Sequence, residues 1–224
     1  QNIAITENGE FYQILYYASL AGSSHNSQPW KVEVYGNDSI LVFADMTRKL
    51  QVVDPTSREL YISIGAFIEN LSIAASCYGY ETSIKINNYP AGSIAPVASI
   101  SLSKSNGKKD DYFLKEIKLR TTLRTPFDTL PIKQSDWMTL VSTADSSIHY
   151  FPSTSEKGKY FKFKELEAYT EQARDKNAQD ELASWIRFSN NDVKQKQDGL
   201  TTAGMGIKGV GGFVVRNSFK PEDS

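Results

Sequence analysis

The chain is poor in several residue types, and each scarcity excludes a class of protein. Cys77 is the single cysteine among 224 residues, so no intrachain disulfide can form and the fold does not depend on an oxidising compartment. There are two histidines, His25 and His149, and a zinc site of the usual His/Cys kind is therefore not expected. No run of about 18 apolar residues is present, and no membrane span is predicted.

An excess of charge of one sign is also missing. Lysine and arginine number 25, aspartate and glutamate 26, and the formal net charge is -1. A near-neutral chain has no general attraction for nucleic acid or anionic membrane, so any anion site must be local. Residue 1 is glutamine, from which we expect an upstream segment to have been removed; cytoplasmic and exported locations both stay open.

The order of predicted elements indicates a fold that mixes helices and strands. Helices are predicted at residues 10–20, 54–78, 112–119, 134–143, 155–176 and 182–188. Strands are predicted at residues 31–35, 40–44, 83–87, 98–103 and 148–151. A hairpin turn at Gly36-Asn37-Asp38 implies antiparallel pairing. The fold class is therefore α+β, or mixed α/β, with an antiparallel-containing sheet flanked by helices.

Two further patterns bear on the organisation of the chain. The segment 54–78 is apolar nearly all round, which predicts a central buried helix, and its small residues Gly65 and Ala66 would allow close approach by another helix. The charged linker at 104–111 divides the chain into a first half, residues 1–106, and a second half, residues 107–224.

Short polar side chains precede a Gln-Pro-Trp sequence in a segment that we call the polar loop: Ser23-Ser24-His25-Asn26-Ser27-Gln28-Pro29-Trp30. The amides of Asn26 and Gln28 offer donors and acceptors suited to the edge of a heteroaromatic ring. Pro29 stiffens the backbone, and Trp30 can fix the loop to the core. A capping loop with a buried tryptophan is the alternative interpretation of this composition.

A second candidate, which we call the basic segment, is Arg120-Thr121-Thr122-Leu123-Arg124. Guanidinium groups and threonine hydroxyls both suit a phosphate, although a solvated basic turn has the same composition. The segment 204–209 matches G-x-G-x-x-G but lacks a preceding strand and a following helix, so we interpret it as a glycine loop. Cys77 and His149 are interpreted as structural.

The polar loop resembles the Pro-Ser-Ser-x-Asn-x-Gln-Pro-Trp loop that lines the flavin in the nitroreductase family of FMN enzymes. The basic segment, followed by Phe127, resembles the Arg-x-Ser-x-Arg/Lys motif that holds the FMN phosphate in that family. The chain departs from the pattern at Gly22, where proline is usual, and at Thr122, where serine is common. The resemblance implies FMN as cofactor and these contacts: Ser23, Ser24, His25 and Asn26 at the ring or ribityl edge, Gln28 as a support of the loop, and Arg120, Thr121, Thr122 and Arg124 at the phosphate.

The order of the two motifs resembles one branch of the family. In ordinary nitroreductases the phosphate motif precedes the loop, and each flavin site combines the two motifs from different subunits. Here the loop comes first, as in the single-chain, two-repeat (Acg-like) branch, which residues 53–71, 185–188 and 198–200 also resemble. The resemblance implies a pseudo-dimeric chain with repeats at residues 1–106 and 107–224, the second incomplete. Either a monomer or a homodimer is compatible with it.

The implied activity is hydride transfer through FMN from NAD(P)H to a nitroaromatic or quinone-type acceptor, without a protein acid or base. The branch also suggests an alternative, in which a lid over the flavin blocks nicotinamide access and the protein sequesters flavin. The long, charged and glycine-rich segment 159–212 is the lid candidate. A structural or interaction domain that binds no flavin is the third hypothesis.

Overall fold

The computed structural model describes residues 9–36, 38–87, 94–105, 110–124, 130–142 and 148–207. Its helices are α1 (Gly9–Ser19), α2 (Arg58–Cys77), α3 (Tyr112–Leu119), α4 (Gln134–Ser142), α5 (Glu156–Arg174), α6 (Lys176–Trp185) and α7 (Asn190–Lys196). Its strands are β1 (Trp30–Tyr35), β2 (Ser39–Ala44), β3 (Tyr80–Ile86), β4 (Ala98–Lys104), β5 (Ile186–Arg187) and β6 (Leu200–Thr201). The chain forms two compact units, the first comprising Gln1–Leu123 with Glu181–Ser224 and the second Arg124–Asp180.

A four-stranded antiparallel sheet forms the first layer of the first unit. The strand order is β1-β2-β4-β3, so β4 inserts between two strands that precede it in the chain. Ile40 pairs with Ile100 and Val42 with Ala98, which puts these four side chains on one face, where all are buried. The predicted mixture of helices with an antiparallel sheet is confirmed.

Helix α2 covers the buried face of the sheet and is itself packed by α1 and α3. The carboxylate of Asp54 accepts a hydrogen bond from the backbone N–H of Leu60 at 2.9 Å, which satisfies one donor of the first turn. Leu71 and Phe67 lie fully inside. The predicted central helix thus has a buried side against the sheet and an exposed side, on which Ile62 is 51% exposed.

By length and composition alone, α2 is the one helix among the described residues that could cross a membrane. Half of its apolar window is buried inside the fold.

The second unit differs from the prediction between residues 148 and 151, which form no strand. Tyr150 packs its ring 5.5 Å from that of Trp137, and Phe151 stacks on Phe161 at 5.3 Å. No strand among the described residues of this unit is available to pair with the segment. Its aromatic side chains therefore pack on helices instead.

The predicted helix at residues 182–188 is misplaced. Helix α6 begins at Lys176, where the carboxylate of Asp175 accepts a hydrogen bond from Asn177 N at 2.8 Å, and it ends at Trp185. Ile186 and Arg187 continue as β5, which pairs in parallel with β6. Helix α7 was not predicted; Ser189 and Asp192 cap it reciprocally in a capping box.

The predicted boundary at 106/107 and Phe127 lie outside the described residues. The two repeats, residues 1–106 and 107–224, stay a prediction. The compact units are not a test of them, because a compact unit is defined by packing and a repeat by internal similarity.

Candidate functional site

The polar loop has a tightly turned backbone. A single 3-10 turn covers Ser24–Asn26, and His25, Asn26 and Gln28 all have positive φ, between 49° and 53°. Left-handed backbone is unfavourable for residues other than glycine and persists where surrounding contacts hold it. One such contact lies within the loop, because the hydroxyl oxygen of Ser23 accepts a hydrogen bond from Gln28 N at 3.0 Å.

The far end of the loop is fixed to the core, as its sequence predicts. Pro29 is buried, and the ring of Trp30 packs against that of Phe67 on α2 with centroids 5.1 Å apart. The backbone N–H of Ser24 donates to the hydroxyl of Ser63, also on α2, at 3.3 Å. The central helix of the fold therefore sets the position of the loop.

A second anchor comes from a segment near the other end of the described chain, residues 197–199, which we call the clamp. Asn26 Nδ2 donates to the carbonyl of Gly199 at 3.1 Å, and Gly199 N donates back to the carbonyl of Asn26 at 3.1 Å. Gln28 Nε2 donates to the carbonyl of Gln197 at 2.8 Å. The clamp lies within the predicted lid segment 159–212.

The glycine at position 199 is needed for this contact. Its φ is +76°, and a Cβ there would overlap the carbonyl oxygen of Trp185 and lie 2.8 Å from the Arg187 guanidinium. Asp198-Gly199, part of the stretch 198–200 that carries the sequence resemblance, is thus part of the candidate site.

Glu181 begins the second segment of the first unit, residues 181–224, and binds that segment to the first. Its carboxylate accepts hydrogen bonds from three consecutive backbone N–H groups, those of Gln51, Val52 and Val53. Such a run of converging N–H groups is a typical cradle for an anionic group. The sequence gives no signal for it, because the donors are backbone atoms.

An acidic residue beside the loop stays ionised. Burial acts to raise the pKa of Asp45, but hydrogen bonds from Thr47 and the ammonium of Lys31, 3.0 Å away, outweigh it and hold that pKa below its usual value. Pro29 links this residue to the loop, because its carbonyl accepts a hydrogen bond from Asp45 N at 2.9 Å.

The basic segment follows α3 directly, and Arg120 to Arg124 are all exposed. Arg120 Nη2 donates a long hydrogen bond, 3.5 Å, to the carbonyl of Leu20, three residues before the polar loop. A Cβ on Gly22 would lie 3.6 Å from Arg120 Nη1. Gly22 thus borders the Arg120 guanidinium.

The remaining predicted residues of the basic segment are less closely tied to the loop. Thr121 and Thr122 belong to the first unit and have exposed, irregular backbone. Arg124 belongs to the second unit.

In the G-x-G-x-x-G match, residues 204–206 form a turn, as expected for a glycine loop, and residues 208 and 209 lie outside the described residues.

No family model matches the chain, and no curated protein matches it. Among solved structures it is similar to nitroreductase-like proteins. One is a nitroreductase family protein from Streptococcus pneumoniae, 17% identical, with 58% of this chain and 90% of that chain covered and a TM-score of 0.35.

Two further solved structures are of the same kind. A protein from Staphylococcus epidermidis assigned as an NAD(P)H:FMN oxidoreductase is 16% identical, over 52% of this chain and 81% of that chain, with a TM-score of 0.35. A protein from Exiguobacterium sibiricum assigned as a nitroreductase, in complex with FMN, is 21% identical, over 56% of this chain and 85% of that chain, with a TM-score of 0.34.

Proposed function

We propose that the chain binds FMN and acts as a nitroreductase-like oxidoreductase, using NAD(P)H to reduce a nitroaromatic or quinone-type acceptor. The observation that carries the proposal is the position of Arg120, whose guanidinium lies beside Leu20 and Gly22 at the entrance to the polar loop. Arg120 carries a cation suited to phosphate, and the polar loop is suited to a heteroaromatic ring. The two lie close together, although about a hundred residues separate them in the chain.

The residues present fit the chemical groups of FMN. The phosphate dianion requires exposed cationic donors, and Arg120, with Thr121 and Thr122 next to it, is exposed. The ring and ribityl chain require neutral donors and acceptors, which Ser23, Ser24 and Asn26 provide. Gln28 supports the loop by its bond to the clamp.

In this proposal Arg120, Thr121 and Thr122 hold the phosphate, and Ser23, Ser24, His25 and Asn26 line the ring or ribityl edge. FMN when bound would supply the hydride chemistry, and the protein would bind and orient it. No side chain of the loop need exchange a proton with the substrate.

The hydrogen bond between Arg120 and the carbonyl of Leu20 also supports a composite site within one chain. The polar loop belongs to the first predicted repeat and Arg120 to the second, yet both lie in one compact unit. A single chain of the pseudo-dimeric kind would therefore contain both halves of the cofactor site, and a homodimer would not be needed to complete it.

A second candidate function is non-catalytic flavin binding. The clamp favours it, because residues 197–199 of the predicted lid segment already bind the loop amides of Asn26 and Gln28. If the rest of that segment covers the flavin, nicotinamide would be excluded and the protein would sequester its cofactor.

Titration of the protein into FMN, followed by quenching of flavin fluorescence, tests the proposal. Arg120→Ala should raise the dissociation constant about tenfold to a hundredfold, the equivalent of a charge-assisted interaction of about 1.5–3 kcal/mol. Arg58→Ala is the control, since Arg58 is an exposed arginine of the same unit whose ion pair is with its neighbour Glu59. Equal affinities of the two variants would exclude Arg120 as the phosphate ligand, and no binding by the wild type would reject the function.

Anaerobic mixing of the FMN complex with NADPH separates the two candidates. Bleaching of the flavin absorbance supports the oxidoreductase. Absorbance that persists, while dithionite still bleaches it, supports sequestration.

A further inference from the structure

Two parts of the chain that are distant in sequence, one with Arg48 and one with Arg187, meet at the carboxylate of Asp198. Its Oδ1 accepts two charge-assisted hydrogen bonds from one guanidinium group, from Arg187 Nε at 2.9 Å and from Nη2 at 2.7 Å. Its Oδ2 accepts from Arg48 Nη1 at 3.0 Å. The side chain of Arg187 is 4% exposed and that of Asp198 12%, so this carboxylate joins two cations in a setting largely shielded from water.

Arg48 extends the connection to the polar loop. The same Nη1 atom that binds Asp198 also donates to the carbonyl of Ser27 at 2.9 Å. Ser27 is itself buried in the middle of the loop. Removing the charge of Asp198 would therefore disturb the arginine that binds the loop backbone.

The neighbours of Asp198 bind the loop directly. Gln197 and Gly199 accept hydrogen bonds from the amide nitrogens of Gln28 and Asn26. Because both amide nitrogens are bound in this way, the orientation of each amide group is set. The amide oxygens of Asn26 and Gln28 lie opposite the bound nitrogens. Among the described residues no donor is hydrogen-bonded to either oxygen, so the loop offers them as acceptors.

We propose that Asp198 is a positioning residue for the polar loop: by joining Arg187 to Arg48 it holds residues 197–199 on the loop and fixes the amide orientation of Asn26 and Gln28. The ligand side of the loop is thereby made hydrogen-bond accepting, which suits the N–H of a ring imide. This inference rests on the proposed function, in which the loop binds the flavin.

Hydrogen exchange of the full chain tests the clamp without any ligand. Asp198→Asn keeps the shape of the side chain and removes its charge. We expect the loop peptide covering residues 23–30 to exchange about tenfold faster, while a peptide from α2 is unchanged. Asp180→Asn is the control, because Asp180 is an exposed aspartate paired with Lys176 at the surface.

Two results would overturn the role of Asp198 in this measurement. One is a loop that exchanges at the wild-type rate in Asp198→Asn. The other is faster exchange throughout the loop and α2 together, which would mean that Asp198 supports the fold as a whole.

FMN binding provides the second readout. In Asp198→Asn the dissociation constant should rise about tenfold, and the visible circular dichroism of saturated FMN should change because the ring is held differently. An unchanged spectrum and affinity would overturn the proposal. A wild type that binds no FMN would reject the proposed function alone, since the exchange experiment would still decide whether Asp198 orders the loop.

Discussion

Replacing Arg187 by methionine tests how much the buried ion pair contributes to stability. Methionine preserves much of the side-chain length and removes the guanidinium from a position that is 4% exposed. Asp198 would then lose both hydrogen bonds from Arg187 and keep only the one from Arg48, whose side chain is 35% exposed. Loss of one partner of a buried pair costs about 3–5 kcal/mol, and the remaining arginine puts the expected loss near the lower end, about 3 kcal/mol.

Urea unfolding followed by tryptophan fluorescence measures this loss. Trp137 belongs to the second unit, so a Trp137→Phe background leaves Trp30 and Trp185 as reporters of the first unit. With a slope of about 2 kcal/mol per molar urea, a loss of about 3 kcal/mol lowers the midpoint by about 1.5 M.

The control for this experiment is Arg58→Met in the same background. Arg58 is 73% exposed and its ion pair is at the surface, so its loss should stay within about 0.5 kcal/mol. If Arg187→Met shifts the midpoint no further than Arg58→Met, the buried pair contributes nothing beyond a surface arginine and the reasoning is refuted.

The remaining predictions concern two glycines and one carboxylate. Gly199→Ala should destabilise the first unit by at least about 2 kcal/mol, because φ is positive and a Cβ would overlap the Trp185 carbonyl. Gly65→Ala should instead stabilise by about 0.5–1 kcal/mol, because its Cβ meets open space on a helix; the same sign in both thermal melts would contradict the backbone argument. The lowered pKa of Asp45 means that its contribution is present at neutral pH and disappears as pH falls through that pKa. The destabilisation by Asp45→Asn in urea unfolding should therefore be larger at about pH 6 than at about pH 2.5, and an equal difference at both pH values would be inconsistent with the hydrogen bonds described.

Local patterns in the sequence predict the first unit well. The residue patterns in 31–35 and 40–44 predict β1 and β2 to within one residue. Ile40 and Val42 of β2 are buried, Trp30 and Val34 of β1 are half-buried, and a short connection joins the two strands. The helical pattern from 54 to 78 gives α2, which ends where Gly79 takes a positive φ. These elements depend mainly on neighbours close in the chain.

Sequence patterns do not predict the structure where the interacting residue is distant in the chain or where no strand is available for pairing. Residues 148–151 alternate as a strand would, but no described strand of their unit is there to pair with them. Arg187 is a charged residue in an apolar context, and its burial depends on Asp198 eleven positions later and on the course of the chain between them. The amides of Asn26 and Gln28 suggest ligand contacts from composition, yet their nitrogens bind backbone carbonyls some 170 residues away, which no local signal reveals.

The distance in sequence between the polar loop and the clamp has a consequence for synthesis of the protein. A nascent chain emerging from a ribosome can pair β1 with β2 early, since these strands are joined by a short turn. The loop contacts of residues 197–199 must wait until some 170 residues have been made after the loop. Because contacts of such long separation form late and slowly, we expect the sheet and α2 to be in place before the loop acquires its final geometry. Competence to bind a ligand would then follow the formation of the sheet and α2 and would not accompany it.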